Sequence, residues 1–139
     1  VVWMQICAQK AQSKLGCTVK IFDPAYMSKD IVKELGFGPV GHAEEVETSH
    51  MMARYPDMVH LEKAIDNPIK DTPLYSVDPT YEHDTLCYVP STLEHAKAAA
   101  KKSGGCTGEP SKSDARRGQI YHNHLVKNLI AVVEQLQNA

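Results

Sequence analysis

The sequence predicts an α/β fold, in which helices pack on a small, mostly parallel sheet. A helical pattern opens the chain and is followed by residues 17–22, CTVKIF, a short segment rich in apolar and β-branched side chains. Helix followed by strand is the order typical of α/β proteins. Near the end of the chain, apolar residues recur every three or four positions, which predicts a long helix able to cover such a sheet.

The first helix is expected over residues 2–15, because Gly16 supplies a stop signal. The chain has no initiator Met and opens inside this pattern, so we expect further sequence to precede it in the intact protein. A second, short surface helix is predicted for residues 28–35, with Ser28 as its N-cap and Gly36 as its terminator.

A third helix is predicted from Ala43 to Tyr55, where Pro56 ends it. The glycines and proline of FGPVG, just before it, break regular structure and place His42 at a loop-to-helix junction. Residues 57–90 have four prolines and little periodicity, which indicates a long, partly irregular excursion.

Two further helices complete the predicted elements. Residues 92–105 form a short helical pattern with a double-glycine stop, and the last helix has the clearest periodicity in the chain. Its apolar stripe consists of Gly118, Tyr121, Leu125, Leu129, Val132 and Leu136. This stripe should pack on a sheet or on another helix.

The composition excludes several classes of protein. Fifteen basic and seventeen acidic residues leave a formal charge of −2, and no Lys/Arg cluster is large enough for nucleic-acid binding. No apolar run has the roughly 20 residues needed to span a bilayer, so no membrane role is expected. The four cysteines form no CxxC pair, which favours reduced thiols in a cytoplasmic protein. No linker divides residues 1–139, which are therefore expected to belong to one domain.

Most of the seven histidines have no diagnostic spacing. His122 and His124 form an HxH pair, but residues two apart on a helix point about 200° apart, so these two should not chelate one ion. His83 and His95 have no second metal ligand at a diagnostic spacing, so no functional role is predicted for either.

The strongest candidate site lies in residues 41–49, GHAEEVETS. This segment places one imidazole, three carboxylates and two hydroxyls at the glycine-flanked start of a helix. With His42 at or before the N-cap, its side chain and that of Glu47 could reach one ion or water. By composition alone, a structural explanation is the more ordinary one, because a capping cluster of acidic residues is common and a lone His near a helix start is usually structural.

GHAEEVETS closely resembles the GHAGEVETS-like segment of the creatininase family. The following MMARYPDMV is similar to that family's apolar run with a Pro and an acidic residue, and GGCTGEPSKSDARRGQ is similar to its later Gly, acidic, Pro segment. The matching residues of that later segment are Gly108, Glu109, Pro110, Ala115 and Gly118. The resemblance implies a three-layer sandwich of which residues 1–139 are the C-terminal portion.

The resemblance also implies how the site would work. Members of the family are nearly twice as long and bind two divalent ions, zinc or manganese or both, chiefly through an earlier Glu-x-His pair, an Asp and an HGGN motif. None of these is present here. If the family's residue roles are transferred to the matching positions, His42 is the catalytic histidine and Glu47 is a metal ligand or the close partner of one. Glu45, Thr48 and Gly41 would belong to the surroundings of the metals or to the substrate pocket.

The implied activity is a metal-dependent amidohydrolase acting on a cyclic or small-molecule amide. Creatinine itself is not secured, because creatininases place a Trp shortly before the matching histidine and here Phe37 is the aromatic residue of that stretch. One alternative is a hydrolase that opens oxidised inositol rings (keto-inositols), and another is a non-catalytic half-domain that completes a partner. The expected partners are the N-terminal half of the same enzyme, as a separate or cleaved chain, a small-molecule substrate, and further copies in a homo-oligomer, a hexamer by family analogy.

Overall fold

The computed structural model describes residues 2–38, 40–68, 92–106 and 108–138. Within these ranges the chain forms α-helices and short 3-10 helices. The α-helices are α1 (Val2–Leu15), α2 (Pro24–Met27), α3 (Lys29–Glu34), α4 (Glu45–Arg54), α5 (Leu93–Ser103) and α6 (Ala115–Gln137). The 3-10 helices cover Pro56–Met58, Leu61–Lys63 and Pro110–Lys112.

The predicted α/β sandwich with a mostly parallel sheet is wrong. The described residues contain no strand; they include an isolated antiparallel bridge between Asn67 and Gly108, and His42 is also a bridge residue. Residues 17–23 are irregular and largely exposed, and the backbone N–H of Val19 donates to Gln12 Oε1 at 2.8 Å. A β-prone segment becomes a strand only when a neighbouring strand pairs with it. In the described part of the chain, no strand lies beside this segment.

The predicted α-helices agree with the structure better than the predicted sheet does. Helix α1 ends just before Gly16, whose φ of +64° is accessible to glycine at little cost. Helix α3 ends at Glu34, two residues before Gly36, which has a φ of +66°. Ser28 occupies the N-cap position of α3 as predicted, but its hydroxyl donates to the Pro24 carbonyl instead of capping the helix. Helix α5 lies within its predicted range. Most of the predicted irregular excursion, residues 69–90, lies outside the described residues.

The hydrophobic core forms where α4 and α6 cross and α3 packs against them. The buried core residues are Ile31, Val32, Phe37, Val46 and Tyr121, with Leu35, Val40 and Leu125 packed at its edge. The crossing is close because Gly118 has no side chain: a Cβ there would lie 1.9 Å from the carbonyl oxygen of Ser49. This crossing places the start of α4 beside the first turn of α6.

The predicted stripe of α6 is buried only near its N-terminal end. Gly118 and Tyr121 are buried and Leu125 is partly buried, whereas Leu129 is 43% exposed. The helix therefore packs on another helix, the second of the two expected alternatives. None of the helices in the described ranges is both long and apolar enough to cross a membrane.

Candidate functional site at the start of helix α4

The candidate site is built on the turn that leads into α4. Its exposed residue His42 is followed by Ala43, which has a φ of +50°. Non-glycine residues rarely adopt this left-handed conformation, so the surrounding contacts must hold it.

Two side chains from the first turn of α4 hold Ala43. Glu47 Oε2 accepts a hydrogen bond from the Ala43 backbone N–H at 2.7 Å, and Thr48 Oγ1 donates to the Ala43 carbonyl at 3.2 Å. The backbone N–H and C=O of Ala43, the residue next to His42, are thus both hydrogen-bonded to side chains of α4. Since a carboxylate has two oxygens and several lone pairs, this single bond leaves Glu47 further capacity to accept bonds.

Glu44 is the N-cap of α4 and is fully buried. Its carboxylate accepts the backbone N–H of Val46 at 2.6 Å and that of Glu47 at 3.0 Å. Burial raises the pKa of Glu44 above its usual value of 4.5, although these two bonds act in the opposite direction. The Glu44 carboxylate therefore caps the start of α4 from a buried position.

Glu45 is also buried, and both of its carboxylate oxygens have partners. Oε1 accepts from Arg117 Nη2 at 2.6 Å, and Oε2 accepts from the Gly38 backbone N–H at 2.9 Å. The predicted role of Glu45 beside the metals or the substrate is untested, and what the structure gives is an ion pair between α4 and α6. The predicted pocket residue Gly41 lies in the same loop as Gly38 and is partly buried.

A cleft of about 410 Å³ opens next to the turn. Ala43, Glu47 and Thr48 line one side. His42, which precedes Ala43, is not itself among the lining residues. The rest of the lining carries two ionisable side chains, His60 and Lys63, and is otherwise mostly apolar or small: Met51, Met58, Val59, Leu61, Ala64, Ile65, Ser103, Gly104, Cys106 and Pro110. This volume falls within the range of small-molecule sites in proteins. Burial raises the pKa of the Cys106 thiol, so this cysteine is not set up as a nucleophile.

A histidine pair that the sequence did not predict joins α4 to α6. His50 Nε2 lies 2.8 Å from His122 Nδ1, and the His50 ring packs edge-on against Tyr121 with 5.3 Å between centroids. Burial lowers the pKa of His50 below its usual 6.5, and the neighbouring His122 and Arg54 lower it further. No sequence signal could find this pair, because its members are 72 residues apart and meet only through the helix crossing.

The two histidines of the HxH pair have different partners, as expected from their positions on a helix. His122 contacts His50, while His124 Nε2 lies 3.2 Å from Asp30 Oδ1 and also contacts Asn128. The described residues contain no group of three or more His, Cys, Asp or Glu side chains arranged to hold a metal ion. Since a catalytic zinc takes about three protein ligands, Glu47 with its described neighbours does not make a metal centre.

Comparison with known proteins supports the resemblance on which the site was predicted. The family model of creatininase (creatinine amidohydrolase) matches residues 3–133. A creatinine amidohydrolase from Pseudomonas putida is 38% identical over 65 residues, which are 47% of this chain and 24% of that protein. The alignment thus covers a minor part of the relative's length, and no solved structure gives a significant match. Because the family model covers nearly the whole chain, the protein belongs to the creatininase family.

Proposed function

We propose that this chain forms part of an amidohydrolase that cleaves a cyclic or small-molecule amide, with His42 as its proton-transfer residue. The observation that carries the proposal is the family match over residues 3–133, which includes the turn that holds His42. The cleft of about 410 Å³ beside that turn supports it, because it suits a small substrate.

The roles of the residues follow from their positions. An imidazole can accept a proton from an attacking water and return it to a leaving nitrogen near neutral pH, and His42 is exposed for this purpose. Glu47 and Thr48 fix the peptide that follows His42, through their bonds to Ala43. Each of these two side chains also lines the cleft, where it can contact substrate.

Metal dependence belongs to this proposal as well. The family resemblance implies two divalent ions, zinc or manganese, in a complete active site, and the described residues do not form such a centre. We therefore assign Glu47 as a single ligand or a close partner of one. The remaining ligands would come from the N-terminal half of a family member, present either as a separate or cleaved chain or within a longer protein.

A non-catalytic half-domain is the second candidate function, and one observation favours it. The carboxylates of Glu44 and Glu47 accept backbone N–H groups at the start of α4, and that of Glu45 accepts the Gly38 N–H of the preceding loop. Such a set of bonds is what a purely structural capping cluster would form.

The experiment that separates the two functions begins with the purified chain and any polypeptide that co-purifies. Intact masses and the zinc and manganese content should be measured on the same sample. Hydrolysis should then be followed with creatinine, other cyclic amides and keto-inositols, the last of which test the ring-opening alternative. The sample must be the whole natural protein, because a chain separated from its N-terminal half would lack metal and activity under either function. About two metal ions per assembled enzyme and turnover of a cyclic amide are expected; a whole protein without metal and without activity would establish the half-domain.

Two substitutions test the assigned residues in the assembled enzyme. His42→Asn should reduce kcat by about 10²- to 10⁴-fold, the usual contribution of a general acid or base. Glu47→Gln should lower the metal content. Glu34→Gln, an exposed carboxylate on α3, is the matched control and should change neither quantity.

A further inference from the structure

We infer that Arg117 is a positioning residue for His42: through its combined contacts with Glu45, Phe37 and Leu35 it fixes the loop that carries this histidine against the start of α4. The inference rests on the proposed function, because it takes His42 to be the proton-transfer residue. It assigns a role in the reaction to a residue of α6, more than 70 positions away from His42 in the sequence.

The first contact of Arg117 is its ion pair with Glu45. Arg117 Nη2 donates to Glu45 Oε1 at 2.6 Å, and the side chain of Glu45 is only 7% exposed. Glu45 Oε2 accepts the backbone N–H of Gly38 at 2.9 Å. One buried carboxylate therefore links α6 to the loop before His42. Its charge is balanced by the guanidinium, since a buried carboxylate without a partner is strongly unfavourable.

The guanidinium of Arg117 also contacts the beginning of that loop directly. It stacks over the Phe37 ring at 4.7 Å from the centroid, and Nη1 reaches the Leu35 carbonyl at 3.5 Å. Nη2 donates in addition to the Lys112 carbonyl. A lysine could form the ion pair, but its ammonium lacks both the flat face and the spread of donors that these contacts use.

The loop is thus held at both ends. Arg117 and Glu45 fix it at Phe37 and Gly38, and Glu47 fixes the other end at Ala43. His42 lies between these two attachments. A loss of the first should let the imidazole move while the helices stay packed, because the buried core residues of α4 and α6 are not changed.

The test compares Arg117→Lys with Arg116→Lys, an exposed neighbour on the same helix, in the assembled enzyme. Displacing a catalytic group by about 1 Å can cost roughly 10²-fold in rate. Arg117→Lys should therefore lower kcat by about 10- to 100-fold with little change in KM, and should alter the pH profile of kcat. Arg116→Lys should match the wild type in all three.

A second readout does not require activity. The ring nitrogens of His42, assigned by comparison with His42→Asn, should give a single set of ¹H–¹⁵N NMR signals in the wild type and in Arg116→Lys. In Arg117→Lys they should broaden or split, while the melting temperature shows that the fold is kept. If Arg117→Lys does not fold, Phe37→Leu takes its place, since it removes the stacked ring but keeps the ion pair and an apolar side chain at this core position. Its melting temperature is checked in the same way, and unchanged His42 signals in a folded Phe37→Leu would refute the positioning role.

The outcomes distinguish this inference from the proposed function. If His42→Asn keeps full activity, the proposed function fails. If His42→Asn is inactive while Arg117→Lys equals Arg116→Lys in kcat, pH profile and His42 signals, the function stands and the positioning role of Arg117 is refuted.

Discussion

At the start of α4, neighbouring glutamates have separate structural roles. Glu44 caps the helix, Glu45 pairs with Arg117, and Glu47 holds the turn at Ala43. The sequence predicts that acidic residues should favour this helix end, because they interact well with the dipole and with free N–H groups. Which of them becomes buried could not be predicted, since burial depends on the packing of α6 and of Gly108 over them.

Removing the Glu44 carboxylate should destabilise the protein. Glu44→Ala leaves the N–H groups of Val46 and Glu47 without their acceptor, and loss of an N-cap costs about 1 to 2 kcal/mol. Glu44→Gln should cost less, because its amide oxygen can still accept one bond and burial already disfavours the charge. Urea denaturation at neutral pH measures both. Glu34→Ala on the exposed face of α3 should stay within about 0.5 kcal/mol; an equal effect of Glu44→Ala would argue against the cap.

At the scale of the elements, most α-helices were predicted, the short α2 was not, and the predicted sheet is wrong. The stop signals after α3 and α4 and the periodicity of α6 are local features of the sequence. Helices α3 and α4 therefore lie within a few residues of their predicted ranges, and α6 contains its predicted stripe. The segment at residues 17–22 has β propensity but no strand partner among the described residues, and pairing is a non-local property that a single sequence does not reveal. The short distance between α4 and α6 where they cross could not be predicted either, although Gly118 was part of the predicted stripe.

Gly118→Ala should reverse the usual effect of this substitution. In a helix interior, replacing glycine by alanine normally stabilises by about 1 kcal/mol. Here the new Cβ would lie 1.9 Å from the Ser49 carbonyl oxygen and 2.9 Å from the His50 backbone nitrogen, so the helices must separate. We expect a net loss of about 1 to 3 kcal/mol, typical of overpacking. Chemical denaturation measures it, with the exposed Gln135→Ala as the control; a stabilised Gly118→Ala would show that the crossing is looser than described.

For the whole molecule, the sequence located the family and the candidate turn but not the connections behind it. Short ordered motifs such as GHAEEVETS carry the family resemblance, and the family match confirms it. The network from Arg117 through Glu45 to the loop, and the His50–His122 pair, join parts of the chain 72 residues apart. Long-range contacts of this kind determine how the stability of the whole chain changes with solution conditions such as pH.

The stability of the whole chain should depend on pH through His50. Burial, His122 and Arg54 together lower the pKa of His50 in the folded protein below the usual 6.5. In the pH range below about 6.5 the unfolded chain therefore binds more protons than the folded one. The stabilisation associated with neutral His50 is present above this pH and is lost as the pH falls through the folded pKa.

This prediction is tested by measuring, between about pH 5 and pH 7.5, the urea concentration at which half of the protein is unfolded. Glu44 contributes with the opposite sign, because a carboxyl whose folded pKa is raised above 4.5 loses stabilisation as the pH rises. The comparison is therefore made between the wild type and His50→Gln, in both of which Glu44 is present. The wild type should lose more stability on acidification than His50→Gln, whereas the exposed His60→Gln should follow the wild type. Parallel plots of urea midpoint against pH for the wild type and His50→Gln would mean that His50 titrates alike in the folded and unfolded chains. In that case the contact between His50 and His122 would not make the packing of α4 on α6 depend on pH.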